Sequence, residues 1–278
     1  MNNSGPSPND FLEVAVEAAR KGGAIIAEAM DLPKNVAYKT EVDLVTETDK
    51  KSEAVIVECL RKYFPQHAIV AEEGGISGPD FAAKYKWYVD PLDGTTNFAH
   101  GYPVFAVSIG LFENGQPLVA AICNPVTRDI FTATRGGGAY RNEKRIHVSK
   151  VEKLAKSLVA TGFPTHKRVQ NPNIHYYWEF TLRSHGVRRA GAAALDLCSV
   201  ACGHFDGFWE FGLKPWDTAA GTLLVQEAGG VVSDFAGQPY TPGGPQILAS
   251  NGLVHEEMRE LVCEIATMKP DTATFVPG

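Results

Sequence analysis

Two aspartates three residues apart, followed at once by glycine and two threonines, are the residues best suited to chemistry. They occur in Trp87-Tyr88-Val89-Asp90-Pro91-Leu92-Asp93-Gly94-Thr95-Thr96-Asn97-Phe98. The apolar start predicts a buried strand, which is expected to end at Pro91 because proline has no N–H to donate. Gly94 lets a ligand approach the backbone, and Thr95 offers a hydroxyl and an N–H at a predicted helix start. Two carboxylates that can hold a divalent metal, beside a helix N-terminus that can hold phosphate, indicate metal-assisted phosphate ester hydrolysis.

An acidic turn of this kind also occurs on ordinary surfaces, because Asp and Gly are frequent in turns. Further acids favour a site. The residues of Ala68–Ala71 predict a second buried strand that ends in Glu72, and ligands of α/β sheets gather at the carboxyl ends of strands. Asp49 heads a predicted helix over residues 50–63, and Asp217 opens another over 216–230. Helix capping is the ordinary role of both aspartates, so their place in a site depends on the direction they face.

Composition limits the classes of function. The chain has 278 residues, of which 44% are hydrophobic and 21% charged, as in globular proteins with sizeable cores. The net charge of −6 gives no footprint for nucleic acid or an anionic membrane. No apolar run is long enough to span a bilayer, and the N-terminus lacks the pattern of a signal peptide. The five cysteines are an odd number without zinc spacing, which favours reduced thiols in a cytoplasmic protein.

The order of elements predicts an α/β (α+β) protein with two parts. Residues 1–9 are expected to be a disordered N-terminus, and residues 10–150 an N-terminal α+β subdomain with the metal and phosphate motif. From about residue 151, strands and helices alternate, which predicts a C-terminal α/β subdomain over 151–268 that completes the site. Residues 269–278 are expected to be a tail. The glycine pair Gly22-Gly23 inside the first helix predicts either close packing or a kink.

A glycine-rich stretch, Arg135-Gly136-Gly137-Gly138-Ala139-Tyr140, could be mistaken for a phosphate loop. It lacks the Lys-Ser/Thr pair of a P-loop, and no helical pattern follows it. We therefore interpret it as a turn between two strands.

Taken together, the motifs resemble those of the inositol monophosphatase family. One signature matches residues 88–100 and the other matches Trp216-Asp217-Thr218-Ala219-Ala220-Gly221 through Gly229-Gly230. The Lys39 region, Thr46-Glu47-Thr48-Asp49 and Glu72-Glu73-Gly74 fall in the family's order, and the resemblance covers about residues 10–268. It implies a layered αβαβα sandwich of the sugar/inositol phosphatase type, dependence on Mg²⁺, sensitivity to lithium and a homodimer.

The resemblance also implies roles for particular residues. Glu72, Asp90 and the Leu92 carbonyl would hold one Mg²⁺, and Asp90, Asp93 and Asp217 a second. A third, weaker ion would lie near Glu72 and Asp49. Gly94 and Thr95 would bind phosphate through backbone N–H groups, while Asp49, Thr95 and Glu72 would serve catalysis, the first two by orienting and deprotonating water. The substrate's alcohol part would meet Asp93, Gly191, Ala193 and Glu210.

The expected substrate is a small phosphate monoester, foremost myo-inositol 1-phosphate, with histidinol phosphate or fructose 1,6-bisphosphate as alternatives. A covalent aspartyl nucleophile needs acids two positions apart, whereas Asp90 and Asp93 are three apart, so attack by water is expected. One departure weakens the substrate assignment, because Ala192 stands where the family commonly has a hydroxyl residue. An alternative of another class is a regulatory binding protein of the transcription machinery, as some bacterial relatives are.

Overall fold

A computed structural model describes residues 6–32, 36–38 (backbone only), 44–78, 83–164 and 171–268. The helices are α1 (Pro8–Ala29), α2 (Glu47–Tyr63), α3 (Thr95–Ala99), α4 (Asn173–Arg183), α5 (Ala193–Ala201), α6 (Pro215–Glu227) and α7 (His255–Thr267). The strands are β1 (Val36–Tyr38), β2 (Leu44–Thr46), β3 (Ala68–Ala71), β4 (Gly75–Ser77), β5 (Tyr85–Asp93), β6 (Ala106–Glu113), β7 (Gln116–Asn124), β8 (Asp129–Thr134), β9 (Gly138–Arg141), β10 (Lys144–Ile146), β11 (Leu158–Thr161), β12 (Gly186–Arg188), β13 (Gly207–Phe211), β14 (Val231–Ser233) and β15 (Gln246–Ser250).

Two mixed sheets form the framework. The larger has the order β10-β9-β8-β7-β6-β5-β3-β4, in which β3 and β5 are parallel and the other pairs antiparallel. The smaller has the order β12-β11-β13-β15-β14, with β11 parallel to both of its neighbours. A separate antiparallel pair joins β1 to β2.

Helices cover both sheets, so the molecule has five layers. Helices α1 and α2 pack on one face of the larger sheet, α5 and α6 lie between the sheets, and α4 and α7 cover the far face of the smaller sheet. Three buried apolar clusters fill the spaces between these layers. This arrangement confirms the predicted αβαβα sandwich. The predicted subdomain boundary near residue 150 stays a prediction.

Helix α1 is continuous through its glycine pair. A Cβ at Gly22 would lie 2.7 Å from Ile56 Cδ1 and 2.8 Å from Ser52 Oγ, both on α2. Of the two predicted explanations, close packing is therefore the correct one. The helix begins at Pro8, inside the segment predicted as a disordered terminus, and its N-cap is Ser7. Residues 269–278 and the Lys39 region lie outside the described residues.

Two further element boundaries differ from the prediction. Strand β5 continues past Pro91 to Asp93, with a register irregularity between Asp90 and Asp93 that accommodates the missing N–H. Helix α2 starts at Glu47 with Thr46 as its N-cap. Asp49 is thus the third residue of a capping box, and not the residue that heads the helix.

Candidate active site

The acids singled out in the sequence line one cleft of about 640 Å³. The cleft lies where β3 and β5 end and where α3, α5 and α6 begin, so residues far apart in sequence meet there. It brings together all the predicted site residues except Asp49, namely Glu72, Asp90, Leu92, Asp93, Gly94, Thr95, Gly191, Ala193, Glu210 and Asp217. Asp49 lies behind the cleft, where it contacts Thr95.

The acids repel one another strongly. Burial, followed by the charges of Glu72, Asp93 and Asp217, holds the pKa of Asp90 well above its ordinary value. Burial also raises the pKa of Asp93 to about 7, although a hydrogen bond from Ala194 N opposes the shift. The pKa of Asp217 is raised well above its ordinary value by burial and then by Asp93. A divalent cation would reverse this repulsion and favour the ionised carboxylates.

Backbone hydrogen bonds hold each of these aspartates in place. Asp90 Oδ1 accepts from Leu92 N at 3.0 Å, and Asp217 Oδ2 accepts from Lys214 N at 2.7 Å. Asp93 Oδ2 accepts from Ala194 N at 2.7 Å, which ties the end of β5 to the first turn of α5. Each carboxylate therefore keeps acceptor capacity for a metal ion, because an ionised carboxylate has about four lone-pair sites.

The donor set fits Mg²⁺. The cleft presents carboxylates and the Leu92 carbonyl, with no histidine or cysteine among its described lining residues, and Mg²⁺ prefers oxygen ligands. Within the described parts of the chain, no group of three or more acidic, histidine or cysteine side chains is arranged so that it could hold a metal ion by itself. Such a group is not required, because Mg²⁺ keeps several waters and is often held by one or two carboxylates plus substrate phosphate.

A hydroxyl-carboxylate pair, made of the half-buried Thr95 and the buried Asp49, connects the cleft to α2. Thr95 Oγ1 lies 3.0 Å from Asp49 Oδ1 and 3.0 Å from the Leu92 carbonyl oxygen. Asp49 Oδ2 accepts from Thr46 N at 2.8 Å and from Thr46 Oγ1 at 2.5 Å. Burial raises the pKa of Asp49 in spite of these hydrogen bonds. The Leu92 carbonyl keeps a second lone pair for another ligand.

Gly94 gives the acidic turn its shape. It is the N-cap of α3 and has a φ of 92°, a left-handed conformation that favours glycine. A Cβ there would lie 2.8 Å from the Val104 carbonyl oxygen, so a side chain would not fit. The first N–H groups of α3 have no partners within the helix, which leaves them available to an anion at the cleft.

The opposite wall of the cleft carries Gly191, Ala193 and Glu210. Asn97 Nδ2 donates to the carbonyl oxygens of Val104 and Ala190 at 2.7 and 2.8 Å, which fixes this wall against the acidic turn. Burial, and then the charges of Asp196, Asp217 and Asp93, hold the pKa of Glu210 well above its ordinary value.

Arg189 and Phe163 are among the lining residues that the sequence prediction missed. The Arg189 guanidinium lies over the Phe163 ring, 5.7 Å from its centroid, and its charge opposes the rise in the pKa of Glu210. A signal was available for Phe163, because it follows the carboxyl end of β11, where ligands of α/β sheets gather. No comparable signal marks Arg189.

The glycine-rich turn at residues 135–140 donates hydrogen bonds to a glutamate side chain of the same protein. Glu227 accepts hydrogen bonds from Gly136 N at 2.7 Å and from Gly138 N at 2.8 Å. The turn joins β8 to β9, so the interpretation as a strand connection is confirmed.

Among the described helices, none has the length and apolar character needed to cross a bilayer.

Comparisons with known proteins agree with this architecture. The model of the inositol monophosphatase family matches residues 7–268. The chloroplastic phosphatase IMPL1 of Arabidopsis thaliana is 47% identical over 92% of this chain and 71% of its own length. The Nus factor SuhB of Pseudomonas aeruginosa is 48% identical over 87% and 91%. The inositol monophosphatase structure from Anabaena superposes with a TM-score of 0.86 at 42% identity, covering 96% and 99% of the two chains.

Proposed function

Because the chain belongs to the inositol monophosphatase family, we propose that it is a Mg²⁺-dependent phosphomonoesterase that hydrolyses myo-inositol 1-phosphate or a closely related cyclitol or sugar phosphate. The observation that carries the proposal is the meeting of Glu72, Asp90, Asp93 and Asp217 beside the Gly94 turn. Four acids around an anionic substrate would repel it unless cations completed the site.

We assign the ligands as follows. Glu72, Asp90 and the Leu92 carbonyl would hold one Mg²⁺, while Asp90, Asp93 and Asp217 would hold another. The electrostatic effect of Glu72, Asp93 and Asp217 on Asp90 supports the assignment of Asp90 to both sets. Glu72 and Asp49 would attract a third, weaker ion. When bound, the ions supply a lowered pKa for the attacking water and charge neutralisation for the leaving alkoxide.

The chain's own residues orient the reactants. The N–H groups of Gly94 and Thr95 hold the phosphate oxygens, and the turn geometry supports this role. Thr95 Oγ1 accepts a hydrogen bond from the attacking water and passes its own proton towards Asp49 Oδ1, 3.0 Å away. The raised pKa of Asp49 makes its carboxylate a better proton acceptor than an ordinary aspartate.

The alcohol part of the substrate lies between Asp93, Gly191, Ala193 and Glu210. A carboxylate accepts hydrogen bonds from hydroxyl groups, so Glu210 favours a polyhydroxylated alcohol. The same carboxylate would attract the cationic amine of histidinol phosphate, which keeps that ester as an alternative. Fructose 1,6-bisphosphate, which carries hydroxyl groups, stays an alternative as well. The homodimer and the sensitivity to lithium, which the family resemblance implies, stay predictions, as does the cytoplasmic location.

The test is phosphate release from inositol 1-phosphate, histidinol phosphate, fructose 1,6-bisphosphate and 3′-phosphoadenosine 5′-phosphate, each with Mg²⁺ and with chelator. We expect Mg²⁺-dependent hydrolysis with inositol 1-phosphate preferred. Preference for another ester would change the substrate and keep the chemistry. Failure to hydrolyse any of them with Mg²⁺ would contradict the proposal.

A second candidate function is association with the transcription machinery, which is favoured by the name Nus factor SuhB of a relative 48% identical to this chain. The test is capture of purified RNA polymerase and Nus factors by this chain, with Asp93→Asn as the comparison. Retained capture by the variant, together with genetic rescue by it, would support a regulatory role separate from catalysis. Absence of capture would remove this candidate.

A further inference from the structure

Gly162 lies at the carboxyl end of β11, directly beneath the side chain of Glu210 on the neighbouring β13. A Cβ built at Gly162 would lie 2.1 and 2.3 Å from the two carboxylate oxygens and 2.4 Å from Cδ of Glu210. Real Cβ atoms essentially never approach another atom closer than 3.0 Å. The carboxylate of Glu210 thus occupies the space that any side chain at position 162 would take.

Space, and not backbone conformation, makes glycine necessary here. Gly162 is absent from the residues with a left-handed φ, so alanine could adopt its backbone angles. The three nearest atoms all belong to Glu210, which is 7% exposed and lines the cleft. A substitution at Gly162 therefore acts on Glu210 first.

A buried hydrogen-bond network prevents the two strands from moving apart to make room. The fully buried Asn173 donates from Nδ2 to the Gly162 carbonyl oxygen at 2.5 Å and to Thr161 Oγ1 at 2.7 Å. Its Oδ1 accepts from Trp209 Nε1 at 2.7 Å, and Thr161 Oγ1 donates to the Trp209 carbonyl oxygen at 2.6 Å. Trp209 directly precedes Glu210. Because buried networks of this kind are rigid, the backbones of Gly162 and Glu210 keep a fixed position relative to each other.

The contact with Gly162 therefore determines how the Glu210 side chain is oriented towards the substrate. Burial, and then the charges of neighbouring acids, raise the pKa of its carboxyl group, and no hydrogen bond from a described residue is among the causes of the shift. Glu210 lines the cleft, where its carboxylate can accept hydrogen bonds from substrate hydroxyls. We propose that Gly162 is a specificity-determining position, which places the Glu210 carboxylate to select phosphate esters of polyhydroxylated alcohols. This inference rests on the proposed function and adds a positioning residue to it.

The first test is Gly162→Ala, assayed with inositol 1-phosphate and with p-nitrophenyl phosphate, an ester without alcohol hydroxyls. We expect the KM for inositol 1-phosphate to rise about 10- to 100-fold, because misplacement by about 1 Å can cost that much. The KM for p-nitrophenyl phosphate should change little. The matched control is Gly186→Ala on β12, where a Cβ would make ordinary contacts of 3.4 Å with Arg188 Nη1 and 3.6 Å with Leu158 Cδ1. Equal losses with both esters would overturn the inference.

The second test separates positioning of Glu210 from general damage. Glu210→Asp shortens the side chain by one methylene group and withdraws the carboxylate from Gly162. In that background Gly162→Ala should add little to the KM for inositol 1-phosphate, although it is costly in the native background. Additive penalties would contradict a direct contact between the two residues.

A crystal structure of Gly162→Ala decides the inference independently of the assay. We expect the Glu210 carboxylate to leave its native position, and an unmoved carboxylate would overturn the inference. If the native protein hydrolyses no ester, the proposed function fails while this structure still tests the contact. If the native protein is active and Gly162→Ala has the same preference between the two esters as the native protein, the inference fails and the proposed function stands.

Discussion

Thr95 Oγ1 lies 3.0 Å from Asp49 Oδ1, although 46 residues separate them in the chain. The same hydroxyl lies 3.0 Å from the Leu92 carbonyl oxygen, so its single hydrogen has two acceptors. Asp49 is 1% exposed and is fixed by Thr46 through the capping box of α2. The pair therefore forms a short path along which a proton can leave the cleft for a buried carboxylate.

Removal of the Thr95 hydroxyl should slow turnover without unfolding the protein. Thr95→Val keeps the shape of the side chain and removes the proton path, so kcat should fall roughly 10²- to 10⁴-fold. The measurement is kcat at saturating Mg²⁺, together with Mg²⁺ affinity from calorimetry, which should change little. Thr95→Ser, which keeps a hydroxyl, should restore most of the rate. A Thr95→Val enzyme with native kcat would remove this residue from the proton path.

Neutralisation of Glu210 should change which ester is preferred. Glu210→Gln has nearly the same volume but weaker hydrogen bonds to hydroxyls. Preference for inositol 1-phosphate over p-nitrophenyl phosphate should therefore fall about 10- to 100-fold, since a hydrogen bond to a charged group contributes about 1.5–3 kcal/mol. The measurement is the ratio of kcat/KM for the two esters, with the exposed Glu152→Gln as control. An unchanged ratio would place Glu210 outside the substrate pocket.

The pH dependence of stability should include His67. Its ring stacks between Phe64 and Tyr85, and Nδ1 accepts from Trp87 Nε1 at 3.0 Å. Burial lowers its pKa from 6.5 to about 4, so between these values the folded protein binds fewer protons than the unfolded chain. The free energy of unfolding contributed by this group is present above pH 6.5 and is lost as the pH falls to about 4.

The measurement is urea denaturation between pH 7 and pH 4.5, compared with His67→Gln. Glutamine can still accept the hydrogen bond of Trp87 but does not titrate, so the variant should lose less stability on acidification. The exposed His185→Gln serves as control and should follow the native curve. Parallel curves for the native protein and His67→Gln would contradict the assignment.

The contact between α1 and α2 should be intolerant of one methyl group. Gly22→Ala would place a Cβ 2.7 Å from Ile56 Cδ1, so either the Ile56 side chain or the helices must shift. Overpacking of this kind costs about 1–3 kcal/mol of unfolding free energy. The measurement is denaturant unfolding, with Lys21→Ala on the exposed face of the same helix as control. An equal or higher stability of Gly22→Ala would show that the interface has room that the geometry does not reveal.

Much of the site could be predicted because its residues follow a local rule. Asp90 and Asp93 lie at the carboxyl end of β5, and Glu72 follows β3, which is parallel to β5. Parallel neighbours bring their carboxyl ends to one edge of a sheet, so the sequence already indicated that these acids meet. The Thr46-to-Asp49 capping box is equally local, yet a prediction that considers Asp49 alone starts α2 too late, because the N-cap is Thr46.

Other features depend on packing between distant segments, so no local pattern indicates them. The Ala194 N–H that holds Asp93 comes from a residue 101 positions later, on a helix that only the assembled layers bring near. The fit of Glu210 over Gly162 depends in the same way on the pairing of β11 with β13. Pro91 misled the prediction for another reason, because an irregular register let the strand continue past a residue that normally ends it.

The metal-dependent mechanism is tested most directly by the Mg²⁺ dependence of kcat for Asp93→Asn with inositol 1-phosphate. Asparagine can still accept the hydrogen bond from Ala194 N, so the variant should fold, as thermal unfolding and circular dichroism can establish. Loss of one charged ligand should lower kcat about 100- to 1000-fold, because metal coordination supplies several kcal/mol and each 1.4 kcal/mol is tenfold. Asp10→Asn, in the exposed capping box of α1, should keep the native rate. A folded Asp93→Asn enzyme with near-native kcat at saturating Mg²⁺ would contradict the metal-dependent mechanism.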